Sequence, residues 1–358
     1  MALLSNLFHI SWHLNIMYRA GFAFLTSVLL VIFLGRQFIR LAKKSQRIMQ
    51  PIREDGPQQH FNKEGTPTLG GVIIMGAFWL SSFIWLGQFN KIVVNILLVS
   101  FIFALLGFID DVLKLTFKNS KGLSGKIRLL LGFIVASCAA YSLIDQYPPN
   151  IATSVFFPFI HSFYIPLSIF IIFFSGFVVV GTANSVNLTD GLDGLASLVS
   201  ITILITFLFL LILILSPDKY TKFNYSAIFY YNNIRQILVL LAALIGALLG
   251  FLWYNSAPAK IFMGDVGSLG IGGTLGIIAV SLKQELFLAV AGIFLVCESV
   301  SVIIQVYYFK FTGKRYFLMA PLHHHYEKKG MSETLIVKRI WIFTIIMCVL
   351  AILLLDVY

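Results

Sequence analysis

The sequence is poor in charged residues: Asp, Glu, Lys and Arg make up only 11% of its 358 positions, whereas hydrophobic residues make up 59%. A soluble globular chain carries about 25% charged residues. So few charges cannot cover the surface around a single core of this size. The composition therefore excludes a soluble globular protein and indicates an integral membrane protein.

Cysteine is scarce as well, with three residues, Cys138, Cys297 and Cys348, each inside an apolar stretch. None belongs to a CxxC pair, which argues against a disulfide framework and a cysteine zinc site. The chain also has no Walker A loop, no GxGxxG fingerprint and no HExxH helix. These absences argue against an ATP-driven pump, a dinucleotide enzyme and the common metalloproteases.

Long apolar runs are the dominant pattern that the sequence does contain. A bilayer core of about 30 Å requires roughly 20 apolar helical residues, and backbone groups in lipid have to be paired within the helix. We therefore predict an all-α, polytopic transmembrane bundle of about ten spans, forming one domain over residues 1–358. The predicted spans are 20–42, 69–87, 92–109, 127–146, 164–183, 194–216, 234–254, 267–283, 285–309 and 335–357.

The distribution of basic residues predicts the orientation of these spans. With the N-terminus outside, 20 of the 26 Lys and Arg residues fall at the inner face. This asymmetry agrees with the positive-inside rule and predicts that both termini lie on the outer side. Because the net charge of +11 gathers at a membrane face, we expect no nucleic-acid partner. The segment 147–163, with three prolines, is predicted to be an outer loop or hairpin.

Five aspartates fall on the predicted inner face. Asp110 and Asp111 are expected to end the third helix, Asp190 and Asp193 lie between the fifth and sixth, and Asp265 precedes the eighth. Carboxylates bordering a bilayer are costly unless they are hydrated, paired or bound to a cation. Oxygen ligands suit Mg²⁺, which is commonly shared with substrate phosphates. The alternative is that they are ordinary solvated loop acids and helix caps.

Lysines accompany these aspartates at the same face. They are Lys63, Lys114, Lys118, Lys121 and Lys126. Lysines alone are also explained by attraction to anionic lipid, worth about 1 kcal/mol each. Aspartates that can bind a metal ion, together with lysines that can bind phosphates, indicate a phosphoanhydride or lipid phosphate substrate.

A run of three histidines, His323, His324 and His325, lies in the last inner connection. Adjacent side chains cannot all point the same way, so three zinc ligands from this run are not expected. Neutral histidines can donate a hydrogen bond to a phosphate, nucleoside or amide oxygen. The ninth span contains two further polar residues. Gln305 lies near the inner end of the span and could reach a bound ligand. Glu298 could simply pair with another residue inside the bundle.

Five stretches of the chain together resemble the bacterial phospho-N-acetylmuramoyl-pentapeptide transferases, a branch of the polyprenyl-phosphate N-acetylhexosamine-1-phosphate transferases. They occur in the family's order and span most of the chain. The stretches are Arg53 to Gly71, Asp110–Asp111, Asn187 to Asp193, Phe262 to Asp265 and Pro321 to Gly330.

The resemblance implies a reaction, a location and a set of site residues. Phospho-MurNAc-pentapeptide passes from its UDP carrier to undecaprenyl phosphate, giving lipid I and UMP, with Mg²⁺ as cofactor. The implied location is the bacterial cytoplasmic membrane, with the site facing the cytoplasm among membrane lipid; a homodimer is left open. Asp265 corresponds to the metal ligand; Asp110, Asp111, Asp265 and His324 form the catalytic set. Substrate-binding positions are Lys63, Thr68, Lys126, Asn187, Asp190, Asp193, Asn255, Phe262 (for uracil stacking), Gln305, His323 and His325.

Three alternatives remain at this point. A sister transferase would use another UDP-N-acetylhexosamine on the same lipid carrier. A transporter would need ionisable residues at mid-membrane depth, where only Glu298 is apparent. A structural scaffold would leave the clustered aspartates and histidines unexplained. Within the transferase reading, direct attack by the lipid phosphate is preferred to a covalent aspartyl intermediate, which the residues do not exclude.

Overall fold

The structure is a computed structural model, and it describes residues 15–45, 65–117, 122–157, 160, 163–215 and 233–355. Helices account for most of this part of the chain, with one short 3₁₀ turn at Ile144–Gln146. The α-helices are α1 Ile16–Ser45, α2 Gly70–Trp85, α3 Lys91–Phe117, α4 Gly125–Leu143, α5 Pro149–Ala152, α6 Phe170–Thr189, α7 Leu195–Ile214, α8 Ile237–Asn255, α9 Gly264–Ser281, α10 Glu285–Ala291, α11 Ile293–Thr312, α12 Leu322–Lys328 and α13 Glu333–Leu353.

Nine of the described helices are long and apolar enough to cross a membrane: α1, α3, α4, α6, α7, α8, α9, α11 and α13. Helix α2 is apolar but has 16 residues, a length of about 24 Å at 1.5 Å per residue. Every predicted span overlaps a described helix, and the ninth is divided at Gly292 into α10 and α11. The polytopic helical bundle is confirmed. The count of ten and the orientation stay predictions.

The centre of the bundle is formed by α8 and α9. In α9 every residue from Val266 to Ser281 is buried. Glycine makes this possible, because a Cβ on Gly272 would lie 2.6 Å from Cα of Ala183 on α6. Likewise a Cβ on Gly246 of α8 would lie 2.3 Å from the Phe24 carbonyl of α1. Small residues thus let these helices approach at backbone contact distance.

A β-hairpin interrupts the helical pattern, and it is the only sheet among the described residues. Strand β1 (Ser154–Phe156) pairs antiparallel with β2 (Tyr164–Pro166), with Val155 opposite Ile165. The prediction of a loop or hairpin in the segment 147–163 agrees with this pairing. The predicted span 164–183 starts too early, because its first residues form β2 and α6 begins at Phe170.

Four site residues that fall just outside the predicted spans lie inside helices: Asp110, Asp111, Asn187 and Asp265. Helix α3 does not end at Asp110 and Asp111 but continues to Phe117. Asp265 belongs to the first turn of α9, and Asn187 to the last turn of α6. A prediction from hydropathy ends a span at the first charged residues after the apolar run. A helix passes through such residues when their side chains are paired, as Asp110 is with Lys114 one turn later.

Candidate active site

Three carboxylates from two helices converge at one end of the bundle. Asp110 and Asp111 of α3 and Asp265 of α9, called the acidic triad below, each offer an oxygen within 4.8 Å of the others. Asp110 and Asp111 are 1% and 6% exposed. The approach depends on Gly107 of α3, where a Cβ would lie 2.1 Å from the Asp265 carbonyl oxygen. A larger residue there would push the two helices apart.

Backbone N–H groups fix the orientation of the two α3 carboxylates. The Leu123 N–H donates to Asp110 Oδ1 at 2.6 Å, and the Val266 N–H donates to Asp111 Oδ2 at 3.1 Å. Gly264, two residues before Val266, has a φ of +74°, and a Cβ at this position would lie 2.7 Å from Asp111 Oδ2. This position therefore requires glycine for two reasons, backbone conformation and space.

Two cations and one amide surround Asp265. Lys114 contacts Asp110 and also lies 2.8 Å from Asp265 Oδ2, and Arg128 lies 3.2 Å from the same oxygen. Asn187 Nδ2 donates to Asp265 Oδ1 at 2.8 Å. Arg128 is not among the site residues predicted from the sequence. Its position two residues after Lys126, in the basic segment that follows the triad aspartates, was the available signal.

A short backbone pairing brings the start of α2 to the acidic triad. The Phe262 N–H donates to the Pro67 carbonyl at 2.8 Å, and the Gly70 N–H donates to the Phe262 carbonyl at 2.9 Å. Thr68 is thereby buried, with its hydroxyl oxygen 3.2 Å from the place of a Cβ on Gly264. Phe262 is partly buried. Both residues were predicted to contact substrate, and both lie beside the triad.

Asp190 and Asp193 follow α6 and differ in their surroundings. Burial, together with the charges of Asp265 and Asp111, raises the pKa of Asp190 to about 8. Asp193 Oδ2 accepts the Ala259 N–H at 2.9 Å. Asp190 thus shares the electrostatic environment of the triad, whereas Asp193 holds the connection between α8 and α9.

Asn255, another predicted substrate-binding residue, is 3% exposed and engaged in backbone contacts. Its Oδ1 accepts the Gly194 N–H at 3.1 Å, and its Nδ2 donates to the Ile261 carbonyl at 3.0 Å. These contacts join the end of α8 to the loop after Asp193. In this arrangement the Asn255 amide stabilises the backbone next to the site.

The three histidines have three different environments. His323 is 0% exposed beside Glu298. His324 Nδ1 lies 2.6 Å from Glu327 Oε2, and its side chain is 14% exposed. His325 Nδ1 accepts the Leu318 N–H at 3.1 Å, and partial burial followed by the charge of Lys329 lowers its pKa.

The remaining predicted residues lie at the edge of the site or beyond the described chain. Gln305 Oε1 accepts the Phe317 N–H at 2.9 Å, so it holds the segment before α12. Lys126 is exposed in the first turn of α4. Lys63 and the stretch 53–60 lie outside the described residues.

Comparison with known proteins identifies the family. A family model described as Glycosyl transferase family 4 matches residues 93–283. A phospho-N-acetylmuramoyl-pentapeptide-transferase from Ruegeria pomeroyi is 46% identical over 341 residues, which cover 95% of this chain and 94% of that protein. A protein of the same name from Ruegeria sp. (strain TM1040) is 45% identical over 335 residues, covering 94% of this chain and 92% of that protein. The chain belongs to the phospho-N-acetylmuramoyl-pentapeptide-transferase family.

The match to the broader family model divides the site into two parts. The segment 93–283 contains Asn187 and the five aspartates that were predicted to lie at the inner face. The histidines at 323–325 and Gln305 lie beyond it. The acidic triad thus lies within the match to the broader family model, whereas the histidine segment lies outside it, in a part of the chain that the two relatives also cover.

Proposed function

We propose that this chain transfers phospho-MurNAc-pentapeptide from UDP-MurNAc-pentapeptide to undecaprenyl phosphate, forming lipid I and releasing UMP. The observation that carries the proposal is the acidic triad with Lys114 and Arg128, placed at one end of membrane-length helices. A lipid phosphate reaches such a place from the bilayer, and a water-soluble nucleotide reaches it from the cytoplasm. Membership of the transferase family supports the same conclusion.

The acidic triad fits a magnesium ion. It offers hard oxygen donors close together, and Mg²⁺ prefers a few carboxylates plus substrate phosphates. We propose that Asp265 is the principal ligand, with Asp110 and Asp111 completing the protein side. When bound, the ion would neutralise negative charge on the diphosphate and polarise the bond to the leaving group.

The residues of the chain supply positioning and charge compensation. A lipid phosphate oxygen attacks the β-phosphorus of the sugar nucleotide, the bond to the UMP oxygen breaks, and UMP leaves. Phosphoryl transfer depends mostly on alignment and electrostatic stabilisation. Lys114 and Arg128 offset the charge of the reacting phosphates, and Asn187 holds Asp265 in orientation. Asp110 orients the lipid phosphate or accepts its proton. The second pKa of such a phosphate is about 6, so no strong base is necessary.

Other predicted residues receive roles from their surroundings. Phe262, partly buried beside the triad, is proposed to stack on uracil. His324, partly exposed and hydrogen-bonded to Glu327, is proposed to donate to a phosphate oxygen. The site is proposed to face the cytoplasm, since the basic inner face predicted from the sequence carries every residue of the site.

The test is UMP release by the purified protein in detergent with undecaprenyl phosphate, Mg²⁺ and UDP-MurNAc-pentapeptide. A parallel reaction contains UDP-GlcNAc. We expect turnover of the peptide-bearing nucleotide alone, loss of turnover with EDTA, and recovery when Mg²⁺ is added back. Turnover of UDP-GlcNAc instead would assign the chain to the sister branch. No turnover of either, with a folded sample, would contradict the proposal.

A further inference from the structure

Glu298 is a buried carboxylate that the reaction proposed above does not use. It lies in the second turn of α11 and is 0% exposed. Its neighbour Ser299 shares a 2.7 Å hydrogen bond with Ser185, near the site end of α6. Glu298 therefore lies close to the site end of α6.

Three donors from the start of α12 converge on this carboxylate. The Leu322 N–H donates to Oε2 at 3.0 Å and the His323 N–H to Oε1 at 3.2 Å. His323 Nδ1 lies 3.1 Å from Oε2, and it donates to this oxygen in the tautomer that carries the proton on Nδ1. The first N–H groups of a helix lack partners within it, and here no side chain of the N-cap residue Pro321 supplies one. Glu298 caps α12 from another helix.

The far side of the His323 ring faces the aspartate loop after α6. Its Nε2 is buried and has no hydrogen-bond partner among the described residues. A Cβ on Gly191 would lie 2.3 Å from Nε2. The His323 ring therefore fills the space between Glu298 and the loop of Asp190 and Asp193. The next residue, His324, has its ring centroid 4.1 Å from that of His323.

We propose that Glu298 is a positioning residue: through His323 it sets the distance between α12, which carries His324, and the loop that carries Asp190. Replacing the carboxylate by an amide would leave a single oxygen for these donors and place an NH2 group against the others, and α12 would shift to satisfy them. Displacement of a catalytic group by about 1 Å costs on the order of 100-fold in rate. The inference rests on the proposed transferase function, but its structural part is testable without turnover.

The kinetic test uses Glu298→Gln, which keeps the size of the side chain and places an amide against N–H donors. We expect kcat to fall about 100-fold, while the half-saturating Mg²⁺ concentration stays unchanged because α3 and α9 carry the triad. The matched control is Glu285→Gln, a glutamate 2% exposed at the start of α10, at the opposite end of the bundle. Equal losses in both variants would overturn the inference, as would full activity of Glu298→Gln.

Coupling through His323 is tested with Gly191→Ala, which leaves Glu298 intact. The added methyl would meet Nε2 of His323, so we expect a loss of kcat on the same scale. In a His323→Ala background, where the ring is gone, Gly191→Ala should cost less than about three-fold further. Glu298→Gln should cost less there than in the wild type, since only its two backbone donors remain. Fully additive losses would show that Glu298 does not act through His323.

Hydrogen exchange gives a readout that does not depend on activity. In Glu298→Gln we expect amides of residues 318–330 to exchange at least ten-fold faster than in the wild type, with residues 105–115 and 264–272 unchanged. A uniform increase over the whole protein would indicate general destabilisation and overturn the inference, and so would unchanged exchange. If Glu298→Gln does not fold, Gly191→Ala provides the same measurement. If the wild type releases no UMP, the exchange result still decides the role of Glu298.

Discussion

The two ends of the bundle differ in the partners that their buried charged groups contact. At the site end, three carboxylates lie together and two cations contact one of them. At the other end, buried cations contact neutral acceptors: Arg19 lies 3.4 Å from the Gln236 amide oxygen, and Lys283 donates to the Ala152 carbonyl at 2.7 Å. Neutral oxygens therefore accept hydrogen bonds from both of these buried cations. A cluster of like charges is unfavourable by itself and is typical of a site that binds an ion or a charged substrate.

The largest effect is expected from Asp265→Asn. This change removes the charge that Lys114 and Arg128 contact and the principal proposed ligand of Mg²⁺. We expect UMP release to fall at least about 1000-fold, at every Mg²⁺ concentration tested. Asp145→Asn, an exposed acid at the opposite end, is the control and should retain full activity. Near-normal turnover of Asp265→Asn would remove this residue from the mechanism.

Gly264→Ala should have the next largest effect. Its φ is +74°, and the new methyl would lie 2.7 Å from Asp111 Oδ2, so both backbone strain and displacement of the triad are expected. We expect activity to fall about 100-fold, as measured by initial rates of UMP release. Gly313→Ala is the matched control, because it has a φ of +68° but nothing within 4 Å. It should cost only about 1 kcal/mol of stability and little activity; similar rates in the two variants would argue against crowding at Asp111.

Arg128→Gln is expected to have an intermediate effect. It removes one of the two cations on Asp265 and leaves Lys114 in place. We expect kcat/KM for the nucleotide substrate to fall roughly ten-fold, and Arg128→Lys to recover only part of it, since lysine lacks the planar fork of donors. Full activity of Arg128→Gln would show that its contact with Asp265 does not contribute to the reaction.

Lys283→Met tests the opposite end of the bundle through its effect on the stability of the protein. The Lys283 ammonium is buried over the Tyr147 ring, 5.3 Å from its centroid, and its loss leaves the Ala152 carbonyl without this donor. We expect a loss of about 1–3 kcal/mol in unfolding free energy, seen as a lower melting temperature in detergent, with unchanged kcat. A large fall in kcat with unchanged melting would mean that the two ends are coupled.

The smallest effect is expected at the exposed pair of Lys91 and Asp145. Their side chains lie 2.6 Å apart and are 43% and 62% exposed. Exposed pairs contribute about 0–1 kcal/mol and are screened by salt. The melting temperatures of wild type and Asp145→Asn should therefore differ slightly at pH 7 and low salt, and converge in high salt. A difference that persists in high salt would contradict a screened surface pair.

The helical bundle could be predicted from the sequence because bilayer thickness sets a minimum length for an apolar run. The grouping of Asp110, Asp190 and Asp265 at one face followed from the same alternation of spans. Helix ends were predicted less well: α3 continues past Asp110 and Asp111, since the pairing of Asp110 with Lys114 lets charged residues continue a helix. Hydropathy cannot report such pairing.

The sequence by itself therefore determined the membrane architecture, the family resemblance and the chemical types present at one face. Only the tertiary structure decided which side chains meet: Arg128 with Asp265, Glu298 with His323, and the His323 ring with Gly191. The physical reason is that contact across helices depends on their rotation and depth relative to one another. Both are set by close packing at residues such as Gly107 and Gly272, which no pattern within a single helix records.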